Sequence, residues 1–390
     1  MKLFVLLSRV PYPLEKGDKL RAYHQIKILA QKHEVHLCCL TDHDVEKSAV
    51  DHLEGIVHEL HIFKLNKLLI GARLLRATIS EKPFQVHYFY QNWIQRKINA
   101  LLDHIQPDHI YCQLIRCTEY VKHYHQCNKT IDYMDALSAG HRRRIKISRG
   151  IHKQLLIEET KRLTTYENRI FNYFENHTII STQDRDLIYH EKKDNIVIVP
   201  NGVDGAFFKP ISTSKKYDLL FTGNMNYPPN VDGVIYLVRN VIPLLEKSGK
   251  KPSLLIAGAN PAKEVLELDN QHNIKVSGWV EDIRDAYNQS SVFVAPMQIG
   301  SGLQNKLLEA LSMALPCVTT PLAANAFSKE QREVLFIGDS PEALANQISS
   351  LLDSLELRAE AGEKGRNLIL QSFGWESTVE KLDLTMSSSK

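Results

Sequence analysis

Short apolar runs alternate with amphipathic segments along the whole chain, and this order restarts once. Lys2–Leu7 and Glu34–Leu40 have the length and apolar content of buried strands, whereas Lys19–Lys32 repeats apolar residues at helical spacing. Strands that alternate with helices predict a parallel sheet covered by helices on both faces. A second set of the same kind begins with Asp218–Thr222. The sequence therefore predicts two consecutive α/β domains.

The remaining predicted elements complete the two sets. In the first set we expect strands at Glu59–Phe63, His109–Cys112, Lys129–Tyr133 and Thr178–Ser181, and a helix at Leu155–Phe174. In the second set we expect strands at Ser253–Ala257, Ile274–Ser277, Val292–Ala295 and Pro316–Thr319, and helices at Asn230–Leu245, Leu344–Leu355 and Leu357–Ser372. We assign residues 1–183 to an N-terminal domain, 184–375 to a C-terminal domain, and 376–390 to a C-terminal helix or tail that could pack back on the N-terminal domain.

Charge is distributed unevenly between the two sets. Residues 1–190 hold 28 Lys and Arg against 21 Asp and Glu, whereas residues 191–390 hold 20 against 24. A basic first half suits an anionic membrane surface or an acceptor that carries phosphate. The six cysteines form no C-x-x-C pair, and no stretch reaches the roughly 20 apolar residues of a membrane span. The sequence therefore predicts a cytosolic protein with reduced thiols.

A glycine-rich loop between a strand and a helix is the strongest candidate for a binding site. Val292–Ala295 is followed by Gly300–Gly302 and then by a predicted helix at Asn305–Leu315. Glycines leave the backbone bare around an anion, and a helix N-terminus points free N–H groups at it. Lys306 adds a positive charge, and Glu309 on the same face can accept two hydroxyl hydrogen bonds. This set fits a diphosphate beside a ribose; the alternative is a loop that only reverses the chain.

Other nucleotide and metal motifs are missing. The first strand is not followed by G-x-G-x-x-G, and the chain contains no Walker A sequence. The histidine pairs His58/His61 and His123/His125 could bind a metal, but no H-E-x-x-H sequence or group of carboxylates accompanies them. We therefore expect no metal and no cofactor.

An ordered set of landmarks extends over nearly the whole chain. The set consists of Gly17-Asp18 before a helix that contains Arg21, then Pro200–Asp204, Phe221–Asn230, Leu255–Gly258, Val276–Asp282 and Gly300–Glu309. It resembles the retaining GT-B glycosyltransferases of family 4 (glycosyl transferases group 1), and most of all the sugar transferases of exopolysaccharide and exosortase-associated clusters. The resemblance implies two Rossmann-like, doubly wound domains that face each other across a cleft. The C-terminal domain would hold a nucleotide-diphosphate sugar and the N-terminal domain would present the acceptor.

The resemblance also implies a donor site. Glu309 matches the second glutamate of the family motif, which binds the ribose hydroxyls, whereas Ser301 stands at the position of the first glutamate. Asn224 stands where the family has a diphosphate-binding arginine, so Lys306 is the expected cation in this half; Arg21 or Arg116 could reach the diphosphate from the other domain. The expected donor-binding residues are Gly17, Asn201, Gly223, Asn224, Gly278, Gly300, Ser301, Gly302, Leu303, Gln304, Asn305, Lys306 and Glu309.

A carboxylate on the acceptor side is the second expected catalytic group beside Lys306. Asp132 and Asp135 lie at the end of a predicted strand, where α/β proteins place ligands. Members of the family carry a His-Asp or Asp pair in this region, and we favour Asp135. The alternative is that Asp135 or Ser138 only caps the helix that follows.

We therefore predict a retaining, metal-independent glycosyltransferase of polysaccharide or exopolysaccharide biosynthesis, with a glycan or lipid-linked acceptor and no nucleic-acid partner. It would be cytoplasmic, with peripheral contact to the inner face of the membrane through the basic segments His141–Lys146 and Lys64–Arg76. Solvated helix faces are the alternative for those segments. The alternatives for the function are a nucleotide-sugar epimerase of the same architecture and a non-catalytic subunit of a polysaccharide assembly complex.

Overall fold

The chain folds into two units, each built on one parallel sheet. The computed structural model describes residues 1–14, 17–269, 271, 273–299 and 303–387, without the side chains of residues 143, 146 and 147. The first unit comprises Met1–Pro200 together with the segment from Thr378 onward, and the second comprises Asn201–Ser377. The boundary between the units lies after Pro200, later than the sequence-based boundary at 183/184, because one more strand joins the first sheet before the chain leaves it.

Seven strands of the described residues form the sheet of the first unit. They are β1 (Lys2–Leu7), β2 (Glu34–Thr41), β3 (Glu59–Lys64), β4 (His109–Gln113), β5 (Asn128–Asp132), β6 (Asn176–Ile179) and β7 (Val197–Ile198). The spatial order is β3-β2-β1-β4-β5-β6-β7, and all pairs are parallel. The order reverses between β1 and β4, which is the position where doubly wound sheets open a crevice at the carboxyl ends of their strands.

The second unit repeats this plan with six strands among the described residues. They are β8 (Tyr217–Thr222), β9 (Leu254–Ala257), β10 (Ile274–Gly278), β11 (Ser290–Ala295), β12 (Cys317–Thr319) and β13 (Leu335–Ile337). Their order is β10-β9-β8-β11-β12-β13, again entirely parallel, with the reversal between β8 and β11. Both sheets have the doubly wound order that the alternation of elements predicts.

Helices cover both sheets. In the first unit they are α1 (Gly17–Leu29), α2 (Lys47–Glu54), α3 (Lys67–Ala77), α4 (Phe84–Phe89), α5 (Asn92–Ile105), α6 (Leu137–Ile147), α7 (Gly150–Phe171) and α8 (Thr182–Asp186). From residue 201 onward they are α9 (Pro228–Tyr236), α10 (Ile242–Lys247), α11 (Lys263–Leu266), α12 (Ile283–Asn288), α13 (Asn305–Ser312), α14 (Pro321–Ala324), α15 (Lys329–Arg332), α16 (Pro341–Asp353), α17 (Leu355–Phe373) and α18 (Trp375–Ser387). Short 3₁₀ turns occupy Thr118–Tyr120 and Lys193–Asn195.

Each predicted strand is present, β1 with the predicted bounds and the others with shifted ends, whereas some helices differ from the sequence-based prediction. The single helix expected at Asn230–Leu245 is divided into α9, a π-helical stretch at Leu237–Val241, and α10. Pro243 explains the interruption, because proline has no N–H to continue the helical hydrogen bonds. The prediction missed α5, although its buried Ile94, Ile98 and Leu102 recur at helical spacing.

Candidate functional site

Helix α13 carries the two residues that the sequence singles out, Lys306 and Glu309. Its N-cap is Gln304, which makes no side-chain capping bond. Leu307, Leu308 and Leu311 are buried on the other side of the helix. Packing of these leucines fixes the helix axis and leaves Lys306 and Glu309, three positions apart, on the opposite face.

Lys306 is a half-buried cation held by residues of neighbouring elements. Its Nζ donates a hydrogen bond to Oδ1 of Asn230 and lies 4.6 Å from the centre of the Phe221 ring. Burial lowers the pKa of Lys306 to about 7, and the charge of Glu309 opposes that shift. An anion placed beside this amine would therefore favour its protonated form.

Asn230 connects Lys306 to the end of β8. Its Nδ2 donates to the carbonyl oxygen of Asn224 at 2.9 Å, and the side chain is buried near the start of α9. Gly223, with φ of +147°, lies so close that a Cβ there would be 2.5 Å from Nδ2 of Asn230. A Cβ on Gly258, at φ +146°, would be 1.7 Å from the carbonyl oxygen of Gly223. Glycines at the ends of β8 and β9 thus bring the two backbones together beneath the site.

Glu309 is held by a buried tyrosine. Oη of Tyr287, on α12, donates to Oε2 of Glu309 at 2.8 Å and lies 2.9 Å from Oγ1 of Thr222. Burial raises the pKa of Glu309, while the Tyr287 hydroxyl and the charge of Lys306 act in the opposite direction. Because the hydrogen bond fixes one carboxylate oxygen, the geometry leaves Oε1 to accept from a ligand hydroxyl.

The other predicted donor residues fall into three groups. Nδ2 of Asn201 donates to Oδ1 of Asn305 at 3.1 Å, which places Asn201 at the start of α13. The carbonyl oxygen of Gly278 accepts the N–H of Gly258 at 2.9 Å, which places Gly278 at the carboxyl ends of β9 and β10. Leu303 is buried, and Gly17 begins α1 in the first unit. Gly300, Ser301 and Gly302 lie outside the described residues, so the predicted anion cradle remains a prediction.

Asp132 and Arg21, both considered at the sequence level, form a buried network in the first unit. Nε and the terminal nitrogen of Arg21 donate to the two carboxylate oxygens of Asp132 at 2.7 and 3.2 Å, and both side chains are fully buried. The hydroxyls of Tyr111 and Thr178 also donate to Asp132, at 2.8 and 3.1 Å. The ion pair with Asp132 thus joins α1 to β5. Because it occupies the Arg21 guanidinium inside the core, Arg21 is not available to a diphosphate.

Asp135 has a different environment. It is exposed, it follows Met134 at φ +61°, and the next helix, α6, has Ala136 as its N-cap without a side-chain capping bond. The N-cap position is thus occupied by Ala136 and not by Asp135 or Ser138. Burial raises the pKa of neighbouring Glu167 to about 7, with a further contribution from the charge of Asp135. Asp135 thus adds negative charge at the carboxyl end of β5.

A cluster of possible metal ligands lies elsewhere in the first unit. Single ligand atoms of Glu34, His36 and His58 lie within 4.8 Å of one another. Glu34 begins β2 and His58 precedes β3, so the cluster occupies the amino ends of these strands. Ligand sites of doubly wound sheets lie at the opposite, carboxyl ends. The cluster therefore lies at the end of the first sheet opposite to the one where such ligand sites form.

Sequence reasoning missed the residues that position the two charged side chains. Asn230 and Tyr287 are distant from Lys306 and Glu309 along the chain, and the landmark Phe221–Asn230 is the only signal that included one of them. Tyr287 carries no local motif. Only the packing of α12 against the end of β8 makes its role visible.

Comparison with known proteins gives one family match and one long relative. Residues 216–354 match the family described as glycosyl transferases group 1. An uncharacterized 44.6 kDa protein in the cps region of Klebsiella pneumoniae is 22% identical over 364 residues, which is 89% of this chain and 90% of that protein. The residues that match the family contain Lys306, Glu309 and the side chains that hold them.

Solved structures of low sequence identity share the fold. A glycosyltransferase from Rickettsia africae ESF-5 has a TM-score of 0.67 at 14% identity and covers 98% of this chain and 97% of that chain. Anabaena HepE in complex with UDP-glucose has a TM-score of 0.65 at 12% identity, with 99% of each chain covered. Staphylococcus aureus TarM, in complex with fondaparinux, α-GlcNAc-glycerol and UDP, has a TM-score of 0.66 at 12% identity, again with 99% of each covered. The chain therefore has the GT-B fold.

Proposed function

Residues 216–354 carry a glycosyl transferases group 1 domain, and from this premise we propose that the protein transfers a sugar from a nucleotide-diphosphate sugar to a glycan or lipid-linked acceptor. We propose that transfer retains the anomeric configuration and requires no metal, and that it serves polysaccharide or exopolysaccharide biosynthesis. The cps-region relative supports that setting. The complexes of HepE with UDP-glucose and of TarM with UDP support a nucleotide-sugar donor.

One observation carries the proposal: Lys306 and Glu309 project from the same face of α13, each held by a residue from another element. The Asn230 amide holds Lys306, and the Tyr287 hydroxyl holds Glu309. A cation and a hydroxyl-accepting carboxylate, one turn apart, match the diphosphate and the ribose diol of one nucleotide. Side chains positioned in this way need little rearrangement when the nucleotide binds.

The proposed chemistry places the cation where the leaving group develops charge. As the bond between the anomeric carbon and the diphosphate oxygen breaks, the diphosphate gains negative charge and the sugar becomes oxocarbenium-like. Lys306 and the N-terminus of α13 stabilise that charge. Residues Ile299–Asn305 contain no carboxylate that could act as a nucleophile. We therefore favour attack of the acceptor hydroxyl on the face that the diphosphate leaves, with the hydroxyl proton passing to the departing diphosphate oxygen and with Asp135 as the candidate acceptor-side carboxylate.

Peripheral contact with an anionic membrane is part of the proposal. Helix α3 exposes Leu68 and Leu75 at 85% and 75% of their surface, and its sequence contains Lys67, Arg73 and Arg76. Exposed leucines beside basic residues suit the interface of an anionic bilayer. Among the described residues, no helix is both long and apolar enough to cross a bilayer. Sedimentation with vesicles that contain anionic lipid, compared with neutral vesicles, tests the contact.

A thermal-shift screen followed by a hydrolysis assay tests the function. We expect one of the UDP-, GDP- or ADP-sugars to raise the melting temperature, because a ligand that binds only the folded state stabilises it. We then expect slow hydrolysis of that sugar donor. A non-catalytic subunit would bind without hydrolysis, and an epimerase would release an altered nucleotide sugar without an acceptor. Absence of any shift with all three donors would contradict the proposal.

A further inference from the structure

A cavity of about 300 Å³ opens in the first unit at the carboxyl ends of its central strands. Arg9 follows β1, Asp42 follows β2 and Arg116 follows β4, and all three line the cavity. These strands are neighbours in the sheet, and the strand order reverses between β1 and β4. The cavity therefore occupies the crevice where sheets of this type bind ligands.

Arg116 is the unusual group in this cavity. Its Nε donates to Oε1 of Gln85 at 2.8 Å, and its guanidinium carbon lies 5.8 Å from the centre of the Phe89 ring. Within the part of the chain that the structure describes, neither terminal nitrogen of Arg116 makes a hydrogen bond or an ion pair. Burial lowers the pKa of Arg116 and the charge of Arg9 adds to that shift, whereas the charges of Asp18 and Asp135 act in the opposite direction. Neither carboxylate forms an ion pair with Arg116 among the described residues, so the guanidinium is held directly by a neutral amide and a ring and can still take an anion on its terminal nitrogens.

The carboxylate that lines the cavity is already engaged. Oδ2 of Asp42 accepts the Tyr88 hydroxyl at 2.5 Å, and Oδ1 lies 2.8 Å from Nδ1 of His43. The Tyr88 hydrogen bond lowers the pKa of Asp42, which keeps it ionised while both oxygens are occupied. Arg9 forms an ion pair with Asp18. Arg116 thus remains as the cation available to an incoming ligand.

The rest of the lining is apolar. Leu74 from α3 and Phe84 and Phe89 from α4 supply the wall opposite the strand ends. Leu74 belongs to the same helix that exposes Leu68 and Leu75 to solvent. The planar guanidinium of Arg116, which can donate two parallel hydrogen bonds, lies beside aromatic and aliphatic side chains. This combination fits an anionic group attached to an apolar chain.

We propose that this cavity binds the acceptor through a phosphate whose substituent is apolar, and that Arg116 contacts this phosphate, with Arg9 beside it. The inference rests on the proposed function only in calling the bound molecule an acceptor. It narrows the acceptor class to lipid-linked phosphates, and it places recognition in the first unit. Binding by the cavity itself needs no nucleotide sugar.

Isothermal titration of the full chain with geranyl phosphate, geraniol and inorganic phosphate tests the proposal. We expect geranyl phosphate to bind at least ten times more tightly than either of the other two, because each of them lacks one half of the ligand. Arg116→Gln should raise the dissociation constant of geranyl phosphate at least tenfold. Arg96→Ala, an exposed arginine on α5, is the matched control and should bind as the unchanged protein does.

Two further measurements keep failure of this inference distinct from failure of the proposed function. The dissociation constant of the nucleotide found in the donor screen should be unchanged in Arg116→Gln, because Lys306 and Glu309, the side chains proposed to hold the nucleotide, belong to the second unit. Weaker nucleotide binding in Arg116→Gln would assign Arg116 to the diphosphate and overturn the inference. If Arg116→Gln does not fold, Arg9→Gln replaces it as the test. We expect Arg9→Gln to lower the affinity for geranyl phosphate by less than tenfold, and an unchanged affinity would overturn the proposal. Equal binding of geraniol and geranyl phosphate, or equal binding of inorganic and geranyl phosphate, would overturn the proposal even if nucleotide binding persists.

Discussion

Tyr287 donates its phenolic hydrogen to Glu309 across 2.8 Å, and its oxygen lies 2.9 Å from the Thr222 hydroxyl. The carboxylate is therefore part of a chain of groups that reaches back to the last residue of β8. This arrangement turns one oxygen of Glu309 toward the core of the second unit. The other oxygen can then accept from a ligand without losing the contact that orients the side chain.

Glu309→Gln should weaken nucleotide binding. An ionised acceptor becomes a neutral amide, and hydrogen bonds to charged groups contribute about 1.5–3 kcal/mol, so we expect affinity for a nucleoside diphosphate to fall about tenfold or more. Titration calorimetry with the nucleotide found in the donor screen measures the change. The exposed Glu264→Gln of the same unit is the control. Unchanged affinity in Glu309→Gln would contradict the assigned role.

Lys306→Ala should reduce turnover far more than it reduces donor binding. The amine lies where the leaving diphosphate gains charge, and removing one such donor costs about 3 kcal/mol of barrier, or roughly a hundredfold or more in kcat. Steady-state kinetics with the donor varied separates kcat from KM. Lys247→Ala, an exposed lysine at the end of α10, is the matched control. A kcat within twofold of normal in Lys306→Ala would exclude the assignment.

Donor affinity should fall modestly as pH rises above neutrality, by much less than the loss of turnover expected in Lys306→Ala. The pKa of Lys306 in the free protein is lowered by burial to about 7, so the amine loses its proton as pH rises through that value. A bound diphosphate raises that pKa, and binding above pH 7 must then take up a proton. Calorimetry in two buffers of different ionisation enthalpy should show this uptake grow as pH rises from 6 to 8. Uptake that persists unchanged in Lys306→Ala would assign it to another group.

Glu167→Gln should stabilise the protein at alkaline pH. The pKa of Glu167 is raised by burial to about 7, so the folded state holds a proton there that the unfolded state releases near pH 4.5. The stability that this proton contributes is complete below about pH 4.5 and is lost as pH rises through 7. Glutamine stays neutral at every pH, so the free energy of unfolding of Glu167→Gln should exceed that of the unchanged protein by at most about 3 kcal/mol at pH 8.

Urea unfolding at pH 5 and pH 8 measures this effect. The gap in unfolding free energy between Glu167→Gln and the unchanged protein should be large at pH 8 and small at pH 5. Oε1 of Glu167 accepts the Ser138 N–H at 3.0 Å, and the amide oxygen of the substituted glutamine can accept the same N–H. A gap of the same size at both pH values would mean that packing rather than ionisation explains the change.

Activity should persist in excess EDTA, with retention at the anomeric carbon. Lys306 and the N-terminus of α13 supply positive charge at the proposed diphosphate position, which removes the need for a divalent ion there. Proton NMR of the first product formed from an α-linked donor reports the configuration directly. Loss of activity in EDTA that Mn²⁺ or Mg²⁺ restores would contradict metal independence. A β-linked product would contradict retention.

The alternation of apolar runs was enough to predict both parallel sheets, because buried parallel strands carry nearly continuous apolar sequence. Lys306 and Glu309 could be proposed together from the sequence because loop and helix are contiguous in the chain. Asn230 and Tyr287 could not be identified as their partners, because those contacts depend on tertiary packing between distant segments. The same limit applied to Arg21, whose use by Asp132 depends on how α1 packs on β5.

Helix α18 begins within the second unit, but from Thr378 onward it belongs with the first, where Nε2 of His33 lies 2.8 Å from Oδ1 of Asp383. A ribosome therefore makes β1–β7 long before it makes the helix that completes their unit. At about 5–20 residues per second, the intervening stretch takes roughly ten seconds or more to synthesise. Throughout that interval the first unit lacks its last helix while the second unit is synthesised and folds. Completion of the N-terminal unit therefore comes after synthesis of the second unit, and a chain that ends before Thr378 leaves the N-terminal unit without its last helix.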